Sequence, residues 1–294
     1  MTEPVFKHIC IIGIGLIGSS LAQAIRQYNL AHKIIICDTS EEHLLQARKL
    51  QLGDIYTSTA AEAVKACDLV ILATPVGTFS SIAKEIAPHL MEGAIVSDVG
   101  SVKKIMETDV KPYMPNNVTV IGGHPIAGTE FSGPNSGFAE LFEDRWCILC
   151  TDDKTPLFAV EKLRKLWHGV KSQVSFMQAA HHDEVLALTS HLPHLIAWTI
   201  VGTAADMEER TKSEVIQFSA SGFRDFTRIA ASDPVMWRDV FIHNKTAVLE
   251  MLGRFNEDLS MLQRAIRDDN AEMLEQHFSR GRDIRKKIID AGQS

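Results

Sequence analysis

Short apolar runs alternate with amphipathic segments through the first half of the chain. The apolar runs are four to six residues long and cover residues 9–12, 34–37, 69–74, 95–98, 119–122 and 146–150. Helical spacing of apolar residues fills the intervals at 19–28, 41–50, 59–66, 79–89 and 102–110. Short runs without polar alternation are typical of parallel strands buried on both faces. The pattern predicts a doubly wound α/β sheet.

The second half of the chain changes character. A helix at 157–167 and a short strand at 171–177 complete the α/β pattern, and beyond residue 178 the strand pattern ends. Helical spacing continues at 181–207, 231–255, 257–268 and 271–289, with the second of these starting near Asp233 and Pro234. The 294 residues therefore divide into an α/β domain, 1–175, and an all-helical domain, 176–294.

One predicted helix is apolar around nearly its whole circumference, from residue 185 to 203. A helix of that kind must be buried. A small helical domain has little interior to hold it, so we expect part of it to pack against a second copy of the chain in a homodimer.

Composition narrows the cellular setting. The net charge of −7 makes nucleic acid an unlikely class of partner. We find no secretory segment at the N-terminus and no uninterrupted apolar run long enough to cross a bilayer, so no membrane role is expected. The five cysteines lie mostly inside apolar runs, and Cys147-x-x-Cys150 has no second pair nearby, as is typical of structural thiols. We expect a soluble protein of the reducing cytoplasm.

The first apolar run leads directly into Gly13-x-Gly15-x-x-Gly18 and a helix. Gly13 permits a tight turn, Gly15 lets backbone approach a pyrophosphate, and Gly18 lets the helix pack closely on the strand. Leu16 and Ile17 then lie at the helix N-terminus that faces the anion. The motif predicts a Rossmann-type dinucleotide site.

Asp38 ends the second apolar run, 20 residues beyond Gly18. A carboxylate there accepts hydrogen bonds from a ribose 2′-hydroxyl, and no arginine stands beside it to hold a 2′-phosphate. We therefore expect NAD rather than NADP. The alternative is that Asp38 only closes a turn, since Thr39-x-x-Glu42 forms a plausible capping box.

Ligands of an open parallel sheet bind at the carboxyl ends of its strands, so residues after each strand are candidates. Thr74 and Pro75 follow one strand, where Pro75 either borders the nicotinamide or simply ends pairing. Ser101 follows another, where it either caps the next helix or reaches the cleft.

A histidine leaves the strand at 119–122 into the glycine-rich loop 122–133, which carries His124, Thr129 and Glu130. A neutral imidazole is suited to accept a proton as hydride leaves, so His124 is the candidate base. The alternative is a structural loop histidine.

Two polar clusters lie in the helical half. His191 and His194 share a helix face, but a metal site needs a third ligand and none is evident, so no metal is expected. Arg224, Asp225 and Arg228 precede Trp237. An arginine here either clamps a substrate carboxylate or pairs with Asp225 structurally.

Five blocks together resemble the prephenate dehydrogenase family. They are GIGLIGSSLA at 13–22, DVGSVK at 98–103, HPIAGTE at 124–130, SHLPH at 190–194 and DFTRIAASDPVMWRD at 225–239. The resemblance spans nearly the whole chain in the family's order. It implies oxidative decarboxylation of prephenate, or of its amino analogue arogenate, with hydride transfer to NAD+ on the route to tyrosine.

The resemblance also implies residue roles. His124 matches the catalytic histidine that takes the ring hydroxyl proton, and Arg228 the arginine that binds a substrate carboxylate. Ser101 would touch the substrate or the histidine, Glu130 would gate or shape the pocket, and Trp237 would wall it. His194 matches a position that accompanies prephenate use. Ser221 stands where many relatives have glycine, in a loop that bears on inhibition by tyrosine, so feedback control by tyrosine is an open expectation.

Two other readings compete. A 3-hydroxyacid dehydrogenase of the 6-phosphogluconate type would need a catalytic lysine on the first interdomain helix, but the sequence has none between Gln178 and Lys212. A NAD-sensing protein that keeps the fold without turnover is the other, since fold does not fix function. A sensor of this kind would be expected to lack His124 or Arg228, and both residues are present.

Overall fold

The computed structural model describes residues 3–207, 214, 217–218 and 220–290. Within them, eight strands form one sheet in the order β3-β2-β1-β4-β5-β6-β7-β8. The strands are β1 (Phe6–Ile12), β2 (Ala31–Cys37), β3 (Ile55–Thr57), β4 (Leu69–Leu72), β5 (Ile95–Asp98), β6 (Thr119–Pro125), β7 (Trp146–Cys150) and β8 (Gln173–Met177). The chain reverses its direction of travel across the sheet between β1 and β4, so their carboxyl ends border the crevice where ligands of such sheets bind.

The helices of the α/β part are α1 (Leu16–Gln27), α2 (Glu41–Lys49), α3 (Ala60–Ala63), α4 (Phe79–Ile86) and α5 (Leu157–Gly169). The later helices are α6 (Ala179–Leu186), α7 (Leu192–Ala205), α8 (Ser221–Thr227), α9 (Pro234–His243), α10 (Lys245–Arg267) and α11 (Ala271–Asp290). A π-helical turn, Ala187–His191, joins α6 to α7. The chain forms two compact units, Met1–Lys245 and Thr246–Ser294, and the predicted domain boundary near residue 175 stays a prediction.

Alternate residues of β1 enter two separate apolar clusters. Ile9 and Ile11 belong to one with residues of α1 and α5, whereas Cys10 and Ile12 belong to another with residues of α4 and α9. Such burial on both faces is what helices on either side of a parallel sheet require. The predicted fold class, a doubly wound sheet with a helical C-terminal part, is confirmed.

Several predicted elements were wrong in detail. β7 runs antiparallel to β6, although the apolar pattern predicted parallel strands throughout. β3 has only three residues and exposes Ile55, so it gave no apolar run. The helix break predicted at residue 256 is absent, because α10 continues through it, and the chain breaks instead at Asn244. Segment 102–110 is not a regular helix but ends in a π-helical turn, Met106–Val110.

The continuous helical stretch Ala179–Ala205 is long and apolar enough to span a membrane, which the sequence analysis did not expect. Length and composition alone do not define a span, because core helices of soluble proteins meet the same criteria. Only 28% of its most apolar window is buried inside this chain. Leu188, Ile200 and Val201 are among its exposed apolar residues, as the predicted dimer interface requires.

Candidate active site

The glycine-rich turn follows β1 with the geometry that a dinucleotide needs. Gly13 has φ of +95°, and a Cβ there would lie 2.6 Å from the carbonyl oxygen of Ala73. A Cβ on Gly18 would collide with the carbonyl oxygen of Gly13, whereas nothing lies within 4 Å of one on Gly15. Leu16 starts α1 immediately beyond. The open space at Gly15 before a helix N-terminus fits a pyrophosphate.

Asp38 ends β2 beside this turn. Its Oδ2 accepts a hydrogen bond from the Ile14 backbone N–H at 2.9 Å, and its Oδ1 accepts one from Ser40 at 2.8 Å. Asp38 therefore does close a turn. Its Oδ2 also lies 3.5 Å from Nδ1 of His43, while Oδ1 keeps a lone pair for a ribose hydroxyl. The capping box expected at Thr39 is wrong, because Ser40 caps α2 by accepting from the His43 N–H.

Thr74 and Pro75 lie after β4 at the other side of the crevice. The Thr74 and Thr78 hydroxyls hydrogen-bond at 2.8 Å, and Pro75 begins a single 3₁₀ turn, Val76–Thr78. Asp239 of α9 packs against this turn, since a Cβ on Gly77 would lie 2.6 Å from its Oδ2. The turn at the cofactor crevice thus contacts the helix that carries Trp237.

His124 lies within β6, one residue before its end, and not in the loop that the sequence predicted. It is only 7% exposed. Its Nδ1 is 2.8 Å from Nε2 of His182 on α6, and Nδ1 of His182 is 2.8 Å from Oδ1 of Asp183. A carboxylate only accepts, so His182 donates from Nδ1 and, when neutral, accepts at Nε2. His124 must then donate from Nδ1, which leaves the lone pair on its Nε2.

Asp183 is itself fixed by main-chain donors. The Lys103 N–H donates to its Oδ1 at 2.8 Å and the Lys104 N–H to its Oδ2 at 3.0 Å. Asp183 therefore supplies the cap that the sequence offered as one role of Ser101. Ser101 is half-buried, and its backbone interacts with the ring of His191.

The buried histidines are held neutral. Burial, reinforced by the charges of His182 and Lys103, keeps the pKa of His124 well below its usual value of 6.5. Burial also lowers the pKa of His182, against the opposing effect of Asp183, and lowers that of His191 to about 4. Neutral His124 is the form that accepts a proton at physiological pH.

Aromatic side chains pack beside the histidine cluster. His194 stacks on Trp237 with ring centroids 3.7 Å apart and planes 25° apart. Asn244 contacts Nδ1 of His191 at 3.0 Å and also donates to the Asp183 carbonyl oxygen. Nε2 of His191 and Nε1 of Trp237 are buried and have no hydrogen-bond partner among residues 3–207, 214, 217–218 and 220–290. Such atoms in a polar site are available to a ligand.

Arg228 stands apart from this buried cluster. Its guanidinium lies 3.6 Å from a carboxylate oxygen of Glu130, and the side chains are 61% and 33% exposed. Thr129, next to Glu130, accepts a hydrogen bond from the Phe131 N–H within the glycine-rich loop. Burial is the main cause of the lowered pKa of His194, and the positive charge of Arg228 adds to it.

Four residues that the sequence did not single out belong to the hydrogen-bond network behind His124: His182, Asp183, Lys103 and Asn244. The adjacent pair His182 and Asp183 opens the first helix after β8, and two consecutive histidines before an acid were the available signal. Lys103 lay inside the quoted DVGSVK block but showed nothing of its burial. Among the described residues no group of three or more His, Cys, Asp or Glu is arranged to hold a metal.

Two family models match the chain in succession. The nucleotide-binding domain of prephenate dehydrogenase matches residues 21–176, and its dimerization domain matches residues 178–280. The chain is 41% identical over 281 residues to a cyclohexadienyl dehydrogenase of Zymomonas mobilis, covering 96% of each chain. It is 34% identical over 278 residues to a prephenate dehydrogenase of Bacillus subtilis, covering 94% of this chain and 75% of that one.

Solved structures give the same picture. The prephenate dehydrogenase of A. aeolicus in complex with hydroxyphenyl propionate and NAD+ superposes with a TM-score of 0.88 and 34% identity, covering 96% of this chain and 98% of that one. Synechocystis arogenate dehydrogenase superposes with a TM-score of 0.79 and 25% identity, covering 95% and 99%.

Proposed function

The chain belongs to the prephenate dehydrogenase family, and from that premise we propose that it catalyses the NAD-dependent oxidative decarboxylation of prephenate to 4-hydroxyphenylpyruvate, and of arogenate to tyrosine. The relatives at 41% and 34% identity are cyclohexadienyl and prephenate dehydrogenases. A structural relative is known with NAD+ bound, and the open glycine-rich turn and Asp38 of this chain fit that cofactor.

The observation that carries the proposal is the hydrogen-bonded series His124, His182 and Asp183. Two contacts of 2.8 Å fix the proton of His124 on Nδ1, so its Nε2 is a free acceptor. Asp183 stabilises positive charge that develops on the histidines, as a carboxylate does behind a histidine base. A histidine with only a structural role needs no such arrangement.

Bound NAD+ would accept the hydride that leaves the ring carbon carrying the hydroxyl. Nε2 of His124 takes the hydroxyl proton as the C–O bond gains double-bond character. The carbon–carboxylate bond then breaks, carbon dioxide leaves, and the electron pair of that bond completes the aromatic ring. The phenolate oxygen recovers a proton from His124, which returns to its neutral form.

Arg228 binds a carboxylate of the substrate. Its guanidinium is exposed and loosely paired with Glu130, so an incoming carboxylate can replace that partner and take a bidentate bond. Glu130 and Thr129 then shape the mouth of the pocket. His194 and Trp237 form a stacked wall, and the ring of His191 packs edge-on against Trp237, with Ser101 next to His191.

Initial rates of nicotinamide reduction test the proposal. The purified protein is given prephenate or arogenate, each with NAD+ and with NADP+. We expect reduction with prephenate and NAD+, and slower reduction with NADP+ because the Asp38 carboxylate repels a 2′-phosphate. Asp38→Asn should narrow the difference between the cofactors by about tenfold. No reduction with either substrate would refute the proposal and favour a NAD sensor.

We also propose that the chain acts as a cytoplasmic homodimer whose domains meet near residue 175. The exposed apolar residues of α7 and the matched dimerization domain support a dimer. The boundary between the two matched family domains, at 176–178, supports the division. Tyrosine, as the aromatic product of arogenate, is the proposed inhibitor, and Ser221 at the start of α8 is the position that bears on it.

A further inference from the structure

A buried ion pair lies under the strand ends that carry the site. Asp98 ends β5, and Lys103 lies five residues later in the segment that follows. The side chains of both residues are fully buried, and the Lys103 ammonium contacts Oδ2 of Asp98 directly. Removing two such charges from water is costly, and apolar replacements of similar volume are often neutral or stabilising. Stability alone therefore gives a weak reason for the pair.

The pair continues the hydrogen bonding of the sheet where its ladder stops. The parallel pairing of β5 and β6 ends at Ser97 and Ile121. Two residues later, the Gly123 N–H donates to Oδ1 of Asp98 at 3.1 Å, and the Gly123 carbonyl accepts from Nζ of Lys103 at 2.6 Å. Both backbone groups of the residue before His124 are thus held by the ion pair.

Lys103 also holds the other end of the histidine series. Its backbone N–H donates to Asp183, whose carboxylate orients His182. One residue therefore fixes Gly123 through its side chain and Asp183 through its main chain. The approach is close, since a Cβ on Gly123 would lie 2.7 Å from the Asp98 carbonyl oxygen.

We propose that Lys103 and Asp98 are positioning residues for the proposed dehydrogenase reaction, which align His124 and His182 through Gly123 and Asp183. This inference rests on the proposed function for its kinetic test. Groups held by packed, hydrogen-bonded neighbours keep the geometry that catalysis needs, and displacement by about 1 Å costs about 100-fold in rate.

The charge of Lys103 adds a second signature. The ionisable groups around His124 are Lys103 and Asp98 at the β5 end, His182, Asp183 and His191 on the helical side, and Cys147 on β7. Burial is the largest cause of the lowered pKa of His124, His182 is the second and Lys103 is the third. Loss of the ammonium should raise that pKa, so the acidic limb of the kcat/KM profile should move to higher pH.

Lys103→Met tests the inference against Lys111→Met, because Lys111 is an exposed lysine of the same connection between β5 and β6. We expect Lys103→Met to lower kcat by about 30-fold or more with KM for prephenate changed by less than about threefold. The acidic limb should move to higher pH, and Lys111→Met should match wild type. Unchanged kcat in Lys103→Met, or a lower kcat with an unmoved acidic limb, would overturn the inference.

A second readout needs no turnover. Histidine ring ¹⁵N signals of the substrate-free protein report the pKa of His124 directly, and this pKa should be higher in Lys103→Met than in wild type. An unchanged value would overturn the inference even if prephenate proves not to be the substrate. If Lys103→Met does not fold, the double variant Asp98→Asn with Lys103→Met removes both charges together. Its kcat should still fall, and a wild-type kcat would contradict the positioning role.

Discussion

The regions around His124 and Arg228, the two parts of the candidate site, differ in almost every physical respect. His124 is 7% exposed, and its Nδ1 heads a hydrogen-bonded series that ends at a carboxylate held by two backbone N–H groups. The Arg228 side chain is 61% exposed, and its ion pair with Glu130 spans 3.6 Å. One region is fixed before any ligand arrives, and the other is free to exchange its partner for a ligand.

This difference assigns the two regions to different steps. A buried, pre-oriented base acts on the transition state and therefore sets kcat. An exposed arginine contributes similarly to substrate and transition state and therefore sets KM. The division of labour follows from burial and hydrogen bonding, and it makes separable kinetic predictions for the two regions.

The largest effect should come from removing the base. His124→Asn keeps a polar side chain but no group that accepts a proton near neutral pH. We expect kcat to fall by about 10³-fold, within the range of general-base contributions, with prephenate affinity little changed. Steady-state kinetics and NAD+ titration of the same preparation check this. A kcat within tenfold of wild type would remove His124 from the role of base.

The next largest effect should come from the group behind the base. His182→Leu leaves the Nδ1 proton of His124 without an acceptor, so kcat should fall by about 100-fold. His182→Gln restores a carbonyl acceptor and should lose only about tenfold. His181→Asn is the control, since the His181 side chain is 63% exposed. Equal kinetics for the Leu and Gln variants would show that the hydrogen bond does not matter.

Substitutions of Arg228 in the exposed region should mainly change KM for prephenate. Arg228→Ala removes charge-assisted hydrogen bonds to a carboxylate, so KM for prephenate should rise about 10- to 100-fold with kcat reduced far less. Arg228→Lys should recover little, because lysine lacks the bidentate fork. Arg224→Ala in α8, four residues before Arg228, is the control, with an exposed side chain. A fall in kcat at unchanged KM would reverse the assignment.

The smallest effect concerns pH. Neutral His124 is the proposed active form, and burial holds its pKa well below 6.5, so acidification should inactivate the enzyme only below the usual histidine range. An ordinary imidazole would leave about a quarter of kcat/KM at pH 6. We expect more than about half of the pH 7.5 value to remain at pH 6. A limb centred near pH 6.5 would mean that His124 is solvated in the working enzyme.

Local patterns predicted most of the architecture, because buried parallel strands and crossover helices leave clear signals in the sequence. The antiparallel direction of β7 left none, since a short apolar run does not encode strand direction. The three-residue β3 was too short and too exposed to be recognised as an apolar run.

Local patterns likewise identified some residues of the candidate site and not others. His124, Arg228 and Asp38 were identified from their places after strands and within motifs, and their roles stay predictions. His182 contacts His124 across 58 positions and Lys103 contacts Asp183 across 80, and no local pattern contains such contacts. At Ser101 the local pattern was misleading. The helix cap predicted there is supplied by Asp183, which lies far along the chain.

Single-turnover kinetics test the division of labour most directly. Excess enzyme saturated with NAD+ is mixed with increasing prephenate, and NADH formation is followed by absorbance in wild type, His182→Leu and Arg228→Ala. We expect Arg228→Ala to approach the wild-type rate at high prephenate and His182→Leu to stay about 100-fold slower at every concentration. A slow plateau in Arg228→Ala together with a wild-type plateau in His182→Leu would contradict this division of labour.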